Sequence, residues 1–122
     1  MSSYVIYHNP KCSKSREALS TLHTNNLDYS IFLYLDEPLE FKQLKSLIER
    51  LGISPRKLLR KDEYDYMANN LDNPTISDED IIKLMVRHPK LIQRPIIDNG
   101  TNAIIGRPSE CIVQFLSGKI LK

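Results

Sequence analysis

Apolar positions in the first third of the chain change from a continuous run to a helical spacing and back to a run. The stretch YVIYH, Tyr4–His8, is β-branched and aromatic and predicts a buried strand. From Ser13 the apolar positions repeat with helical spacing, and the pair Asn25-Asn26 ends the helix. The run DYSIFLYL, Asp28–Leu35, predicts a second strand. We therefore predict a right-handed β-α-β unit with parallel strands.

The middle of the chain has helical patterns only. The segment DEPLEFKQLKSLIERLG places its aliphatic residues on one face, with Pro38 near the start and Gly52 at the end, and predicts a helix. No convincing strand occurs over residues 53–89. There, SPRKLLRKDEYDYMANNL indicates short helices that open at Ser54-Pro55, and SDEDIIKLMVRHP predicts a longer helix with Ser77 as N-cap.

The C-terminal part returns to strands. PIIDNGTNAIIG contains two β-runs around the turn signal Asn99-Gly100, and RPSECIVQFL predicts a last helix with Pro108 in its first turn. The order β-α-β-α, helical block, β-β-α is that of a thioredoxin-like α/β fold. We predict three layers, with helices on both faces of a mixed four-stranded sheet. The whole chain, 1–122, is predicted to be one domain with a helical insertion at about 53–89.

Composition excludes several classes of protein. The net charge of +2 does not suggest a general nucleic-acid binder. The N-terminus lacks the basic and apolar regions of a signal peptide, and no apolar run approaches the ~20 residues needed to span a membrane. We therefore expect a cytoplasmic protein without membrane or nucleic-acid partners. Two cysteines without a C-x-x-C pair and three scattered histidines predict neither a disulfide framework nor a metal site.

Cys12 lies in HNPKCSKSR, between the end of a strand and the start of a helix. Free N–H groups of a first helical turn stabilise a thiolate there. Lowering the thiol pKa by about two units needs about 2.7 kcal/mol, whereas a helix end supplies at most ~2 kcal/mol. The remainder is expected from Lys11, Lys14, Arg16 or His8, or from arginines elsewhere in the chain.

The competing interpretation of Cys12 is an inert buried residue, but a polar, basic loop is a poor place for one. The Ser15 hydroxyl is a possible hydrogen-bond donor to the sulfur or to a bound anion. A cysteine phosphatase is excluded, because the arginine position of its C-x5-R loop holds Ala18. Cys111 falls on the apolar face of the last helix, which favours core packing; a resolving cysteine for Cys12 is the alternative.

Three arginines have unusual positions. Arg94 and Arg107 each precede a proline and bracket the predicted hairpin, and Arg60 lies in LLRKD within the helical block. In a thioredoxin-like fold, the loop before the hairpin faces the start of the first helix and its proline is cis, so Pro95 is the candidate. Arg94 would then lie close to Cys12. Planar guanidinium groups suit a tetrahedral oxyanion, because each can bind two oxygens at once.

Four segments in order, YHNPKCSKSR, LGISPRKLLRK, HPKLIQRPII and GRPSE, resemble the ArsC-type, glutaredoxin-linked arsenate reductases. The resemblance extends from near the N-terminus to about Leu116 and implies a thioredoxin-like fold with a helical insertion. Residues 13–14 are Ser-Lys where the well-known arsenate reductases carry Gly-Thr, and their longer C-terminal tail is missing. The chain therefore looks most like the short branch of the family.

The resemblance also implies functional roles. Cys12 would be the nucleophile that attacks arsenate, and His8 and Ser15 match loop residues associated with lowering its pKa. Glutathione would then reduce arsenic(V) to arsenic(III), and a glutaredoxin would regenerate the enzyme. Glutathione is a co-substrate in this scheme, so no bound cofactor is expected. The residues implied to bind the oxyanion are Arg60, Arg94 and Arg107.

Two other functions remain as alternatives. A single-cysteine C-x-x-S site also permits a thiol–disulfide oxidoreductase that acts on glutathionylated substrates. The related Spx-type proteins are non-enzymatic regulators that bind RNA polymerase and sense oxidants through C-x-x-C. Here Ser15 occupies the second cysteine position, so that switch is missing.

Overall fold

The computed structural model describes residues 4–25, 27–106 and 109–116. The sheet has the order β2-β1-β3-β4, in which β1 is parallel to β2 and antiparallel to β3, and β3 is antiparallel to β4. The predicted mixed four-stranded sheet is therefore confirmed. The strands are β1 Tyr4–Tyr7, β2 Tyr29–Phe32, β3 Ile96–Asp98 and β4 Ala103–Ile105.

Helices fill the segments in which the sequence predicted them. Within the described ranges, none is long and apolar enough to cross a membrane. Pro108, predicted in the first turn of the last helix, lies outside the described residues. The α-helices are α1 Ser13–Thr24, α2 Phe41–Leu51, α3 Tyr64–Ala68, α4 Asp78–Arg87 and α5 Ser109–Leu116, with 3-10 helices at Pro55–Leu58 and Pro89–Leu91.

Side chains of the sheet alternate between two hydrophobic cores. Ile96 packs in the core formed with α2, α4 and the insertion, whereas its neighbour Ile97 packs in the core formed with α1 and α5. In β4, Ala103 and Ile104 divide between the two cores in the same way. Helices thus cover both faces of the sheet, which confirms the predicted three-layer, thioredoxin-like α/β fold.

Two element boundaries differ by more than one residue from the sequence prediction. The second strand ends at Phe32 instead of Leu35, because the chain turns where Glu37 N–H donates to Leu33 O at 2.9 Å. Helix α2 begins at Phe41, after Pro38, because Glu40 and Gln43 form a capping box. Both differences depend on local hydrogen bonds and not on the apolar spacing.

A short backbone ladder joins the two ends of the helical insertion. Leu59 and Ile92 form an antiparallel bridge, Arg60 N–H donates to Leu91 O at 2.7 Å, and Gln93 N–H donates to Leu58 O at 2.9 Å. We call residues 58–60 and 91–93 the backbone clamp. The clamp brings Arg60 and the residue after Gln93, which is Arg94, to the same end of the insertion.

A buried ion pair ties α2 to β3. Arg50 Nε donates to Asp98 Oδ1 at 2.9 Å and Arg50 Nη2 to Asp98 Oδ2 at 2.6 Å, with the Asp98 side chain 6% exposed. Asp98 Oδ1 also accepts from the N–H of Gly100, which has a φ of +92° in the hairpin loop. Burial, together with the charge of Asp98, raises the pKa of the adjacent Tyr7. Apolar patterning does not reveal this pair.

Candidate active site

Cys12 occupies the N-cap position of α1, directly after the loop that follows β1. Its backbone is extended, with φ −99° and ψ 123°, and its N–H donates to Asn9 O at 3.0 Å. The thiol is half-buried and free, as is that of Cys111. Cys111 itself packs against the core between the sheet and α1 and α5. The strand-to-helix junction expected for Cys12 is therefore present.

The surroundings of Cys12 lower the pKa of its thiol. Burial alone raises this pKa, but the N–H of Ser15, the charge of Arg94 and the N–H of Lys14 outweigh burial. The sulfur makes no regular N-cap hydrogen bond, so these N–H groups act on it as nearby dipoles at the helix end. The net effect favours the thiolate, which is the nucleophilic form of cysteine.

The positive charge that acts on Cys12 comes from a distant part of the sequence. Lys14 pairs with Glu17 at 3.5 Å, and Arg16 Nη1 donates to Pro10 O at 2.8 Å. Arg94 therefore supplies the positive charge that acts on Cys12, as one of the distant arginines that the sequence analysis considered. The peptide bond between Arg94 and Pro95 is cis, as the sequence predicted.

His8 and Ser15 form a buried pair beneath the Cys12 loop. Ser15 Oγ lies 2.7 Å from His8 Nδ1 and also accepts from Asn9 N–H at 3.0 Å. Burial and the charge of Arg16 lower the pKa of His8, which favours the neutral imidazole. His8 thus holds the loop in place, and Ser15 acts on the sulfur through its backbone N–H.

Arg60 is already engaged by acidic neighbours. Its Nη1 donates to Glu63 Oε2 at 3.1 Å and its Nη2 to Asp62 Oδ2 at 3.4 Å, while the Arg60 side chain is 15% exposed. The third predicted arginine, Arg107, lies outside the described residues. Of the predicted arginines, the structure therefore brings Arg94 to Cys12, whereas Arg60 is paired with two carboxylates.

Tyr34 is a site residue that the sequence did not reveal, because the pattern made it part of a strand. Its side chain lies close enough to Arg94, Arg60, Cys12 and Glu63 for their charges to act on it. Burial raises the pKa of Tyr34 to about 12, so the phenol is protonated at neutral pH. A tyrosine just beyond the carboxyl end of β2 was the available signal.

A basic cleft adjoins this group on the side of the insertion. It has a volume of about 960 Å³, shares Arg60 with the site, and is also lined by Lys57, Lys61 and Gln93. Among residues 4–25, 27–106 and 109–116, no three His, Cys, Asp or Glu side chains cluster so that they could hold a metal ion. The described groups offer N–H and O–H donors to an anion beside a thiolate.

Comparison with known proteins agrees with this arrangement. Residues 7–115 match the model of the ArsC family. The chain is 41% identical over 115 residues to an arsenate reductase of Haemophilus influenzae, which covers 93% of this chain and 99% of that protein. It is 42% identical over 112 residues to the uncharacterized protein YfgD of Escherichia coli, with 91% and 94% covered.

A solved structure gives the same result. An arsenate reductase from Vibrio cholerae superposes with a TM-score of 0.89 at 39% identity and covers 93% of this chain and 97% of its own. The match includes the Cys12 loop, the insertion and the hairpin, since it runs through nearly all elements. The chain therefore belongs to the ArsC family.

Proposed function

We propose that this protein reduces arsenate to arsenite, with Cys12 as the nucleophile and with glutathione and glutaredoxin as reductants. The observation that carries the proposal is the position of Arg94 beside Cys12, a half-buried thiol whose pKa is lowered. Relatives named arsenate reductase, similar over almost the full chain, support the choice of arsenate among oxyanions. An arginine beside a thiolate suits this chemistry, because it attracts the anion that the sulfur attacks.

The proposed reaction consumes two thiols, those of glutathione and glutaredoxin, and regenerates the thiolate of Cys12. The Cys12 thiolate forms a sulfur–arsenic bond and displaces hydroxide, which leaves as water after protonation, while arsenic stays at +5. Glutathione displaces a second hydroxide. A glutaredoxin thiolate then attacks the glutathione sulfur to form a mixed disulfide, and the electron pair of the broken sulfur–arsenic bond reduces arsenic to +3. Water hydrolyses the remaining bond to Cys12, which releases arsenite and restores the thiolate.

Glutathione is proposed as the reductant partly because of the basic cleft beside Arg60. Glutathione carries two carboxylates, and the cleft offers the ammonium groups of Lys57 and Lys61. A thiol bound there would lie near an arsenic atom held by Arg60. A glutathionylated protein carries the same two carboxylates, so dependence of turnover on Arg94, and not this cleft, distinguishes arsenate reduction from the thiol–disulfide alternative.

The proposal is tested by arsenate-dependent NADPH oxidation with glutathione, glutaredoxin and glutathione reductase. We expect turnover by the wild-type protein and none above background by the Cys12→Ser variant. Wild-type activity no greater than that of Cys12→Ser would refute arsenate reduction. Turnover of a glutathione mixed disulfide that is insensitive to substitution of Arg94 would instead favour a general thiol–disulfide oxidoreductase.

Replacing Glu63 with glutamine is expected to strengthen oxyanion binding about three- to fivefold, or ~1 kcal/mol. Glu63 is an internal competitor, because its carboxylate holds the guanidinium of Arg60 at 3.1 Å. The measurement is the sulfate concentration that halves the rate of Cys12 alkylation by iodoacetamide. Glu17→Gln, which removes an exposed partner of Lys14, is the control and should leave this concentration unchanged. Equal or weaker sulfate binding by Glu63→Gln would contradict the competition.

A further inference from the structure

Two buried polar atoms beside Cys12 have no hydrogen-bond partner among the described residues. They are the hydroxyl of Tyr34 and the Nε of Arg94. The Tyr34 residue is only 2% exposed, so bulk water does not compensate for the missing partner. Buried polar groups in proteins are nearly always hydrogen-bonded, and an exception calls for an explanation. A ligand that accepts hydrogen bonds from both groups is such an explanation.

The fold places Tyr34 at the same edge of the sheet as Cys12. Strands β1 and β2 are parallel, so their carboxyl ends lie side by side. His8 N–H donates to Phe32 O at 2.9 Å, which joins the start of the Cys12 loop to the end of β2. Tyr34 follows after one residue, and its N–H donates to Phe32 O at 3.1 Å. The backbone of Tyr34 is thus held at this edge of the sheet, and its side chain packs in the core that the sheet shares with α2 and the insertion.

We propose that Tyr34 is an oxyanion-binding residue, whose O–H donates to one oxygen of a tetrahedral anion while Arg94 Nε–H donates to another. The charge of Arg94 acts on Cys12, and the charges of Arg94, Arg60 and Cys12 all act on Tyr34, so the phenol lies near the thiol and both guanidinium groups. An anion between these groups would satisfy both unpartnered donors. The inference rests on the proposed function for the identity of arsenate, but it requires only a tetrahedral oxyanion.

A neutral donor contributes in a different way from the two arginines. The phenol has a pKa of about 12, so its proton stays in place throughout the neutral pH range. Guanidinium groups attract any anion, whereas a single buried O–H favours an anion with an oxygen at that point. Tyr34 therefore adds geometric selectivity to a site in which Arg94 and Arg60 supply the charge.

The test is Tyr34→Phe, which removes only the hydroxyl. We expect the sulfate concentration that protects Cys12 from iodoacetamide to rise at least about tenfold, because a hydrogen bond to a charged group is lost. Without sulfate, the variant should melt at the same temperature as wild type or higher, because an unpartnered buried hydroxyl has been removed. Tyr4→Phe is the matched control, since Tyr4 packs edge-on against Phe115 on the opposite face of the sheet.

Each outcome has a defined meaning. Sulfate protection of Tyr34→Phe within about twofold of wild type would overturn the inference, and so would wild-type Cys12 that sulfate does not protect at all. A lower melting temperature of the anion-free variant would also overturn it, because the hydroxyl would then have a partner within the protein. Loss of sulfate protection in Tyr34→Phe, combined with a wild-type protein that does not reduce arsenate, would refute the proposed reaction and leave this inference standing.

Discussion

Replacing Arg94 with methionine is expected to lower kcat/KM for arsenate by about 10²–10³-fold. Arg94 supplies the positive charge that lowers the pKa of Cys12, and its unpartnered Nε–H is available to an anion. Its loss should raise the thiol pKa and weaken anion binding at the same time. Because only the thiolate reacts, the pH at which Cys12 alkylation rises to its plateau should move upward. Both quantities are measurable on one preparation, by the coupled assay and by iodoacetamide.

Arg94→Lys separates the two roles of this residue. Lysine keeps the charge, so the thiol pKa should stay closer to that of wild type than in Arg94→Met. It lacks the planar pair of donors, so arsenate binding should still be impaired. Arg87→Met, at the exposed end of α4, is the control for removing a surface arginine. An Arg94→Met protein with a wild-type alkylation profile would show that Arg94 does not stabilise the thiolate.

Replacing Arg50 with methionine is expected to lower the free energy of unfolding by about 3 kcal/mol. The side chain of Asp98 is 6% exposed, and without Arg50 its carboxylate is left buried beside the half-buried Tyr7. Methionine preserves much of the apolar stem of arginine, so the loss reports mainly the missing ion pair. Urea unfolding followed by circular dichroism measures this change.

Two comparisons show whether burial of the Arg50–Asp98 pair causes the expected loss of stability. The exposed pair between Lys14 and Glu17 should contribute at most about 0.5 kcal/mol, measured with Glu17→Gln. Adding Asp98→Asn to Arg50→Met should recover part of the loss, since the unpaired charge is removed. A loss of less than 1 kcal/mol in Arg50→Met would mean that the ion pair has little effect on stability.

Local patterning was sufficient for the fold. Strands with β-branched runs, helices with apolar spacing and the Asn99-Gly100 turn all lie where the sequence indicated. Boundaries were less predictable where a side chain hydrogen bond sets them, as Gln43 does for the start of α2. The start of α4 was predictable, because Ser77 is a recognisable N-cap residue, and Asp80 N–H donates to its hydroxyl at 3.1 Å.

The candidate site was only partly predictable. Cys12 and Arg94 were identified because a helix start and a cis proline have fixed places in this fold. The sequence did not predict where the side chains of Lys14 and Arg16 point, since proximity in sequence does not determine the direction of a side chain on a helix. Tyr34 and Glu63 were missed because their roles depend on contacts between separate elements, which periodicity does not encode.

The backbone clamp has a consequence for how proteins of this design can diverge. The backbones of Arg60 and Arg94 are brought together at the ends of the insertion by hydrogen bonds between residues 58–60 and 91–93. Lengthening a loop whose ends are already pinned costs little, about 0.6 kcal/mol for each doubling. Parts of the insertion beyond Glu63, the carboxylate partner of Arg60, can therefore gain or lose residues and acquire new surfaces for reductant proteins, while the backbones of Arg60 and Arg94 keep their relative positions.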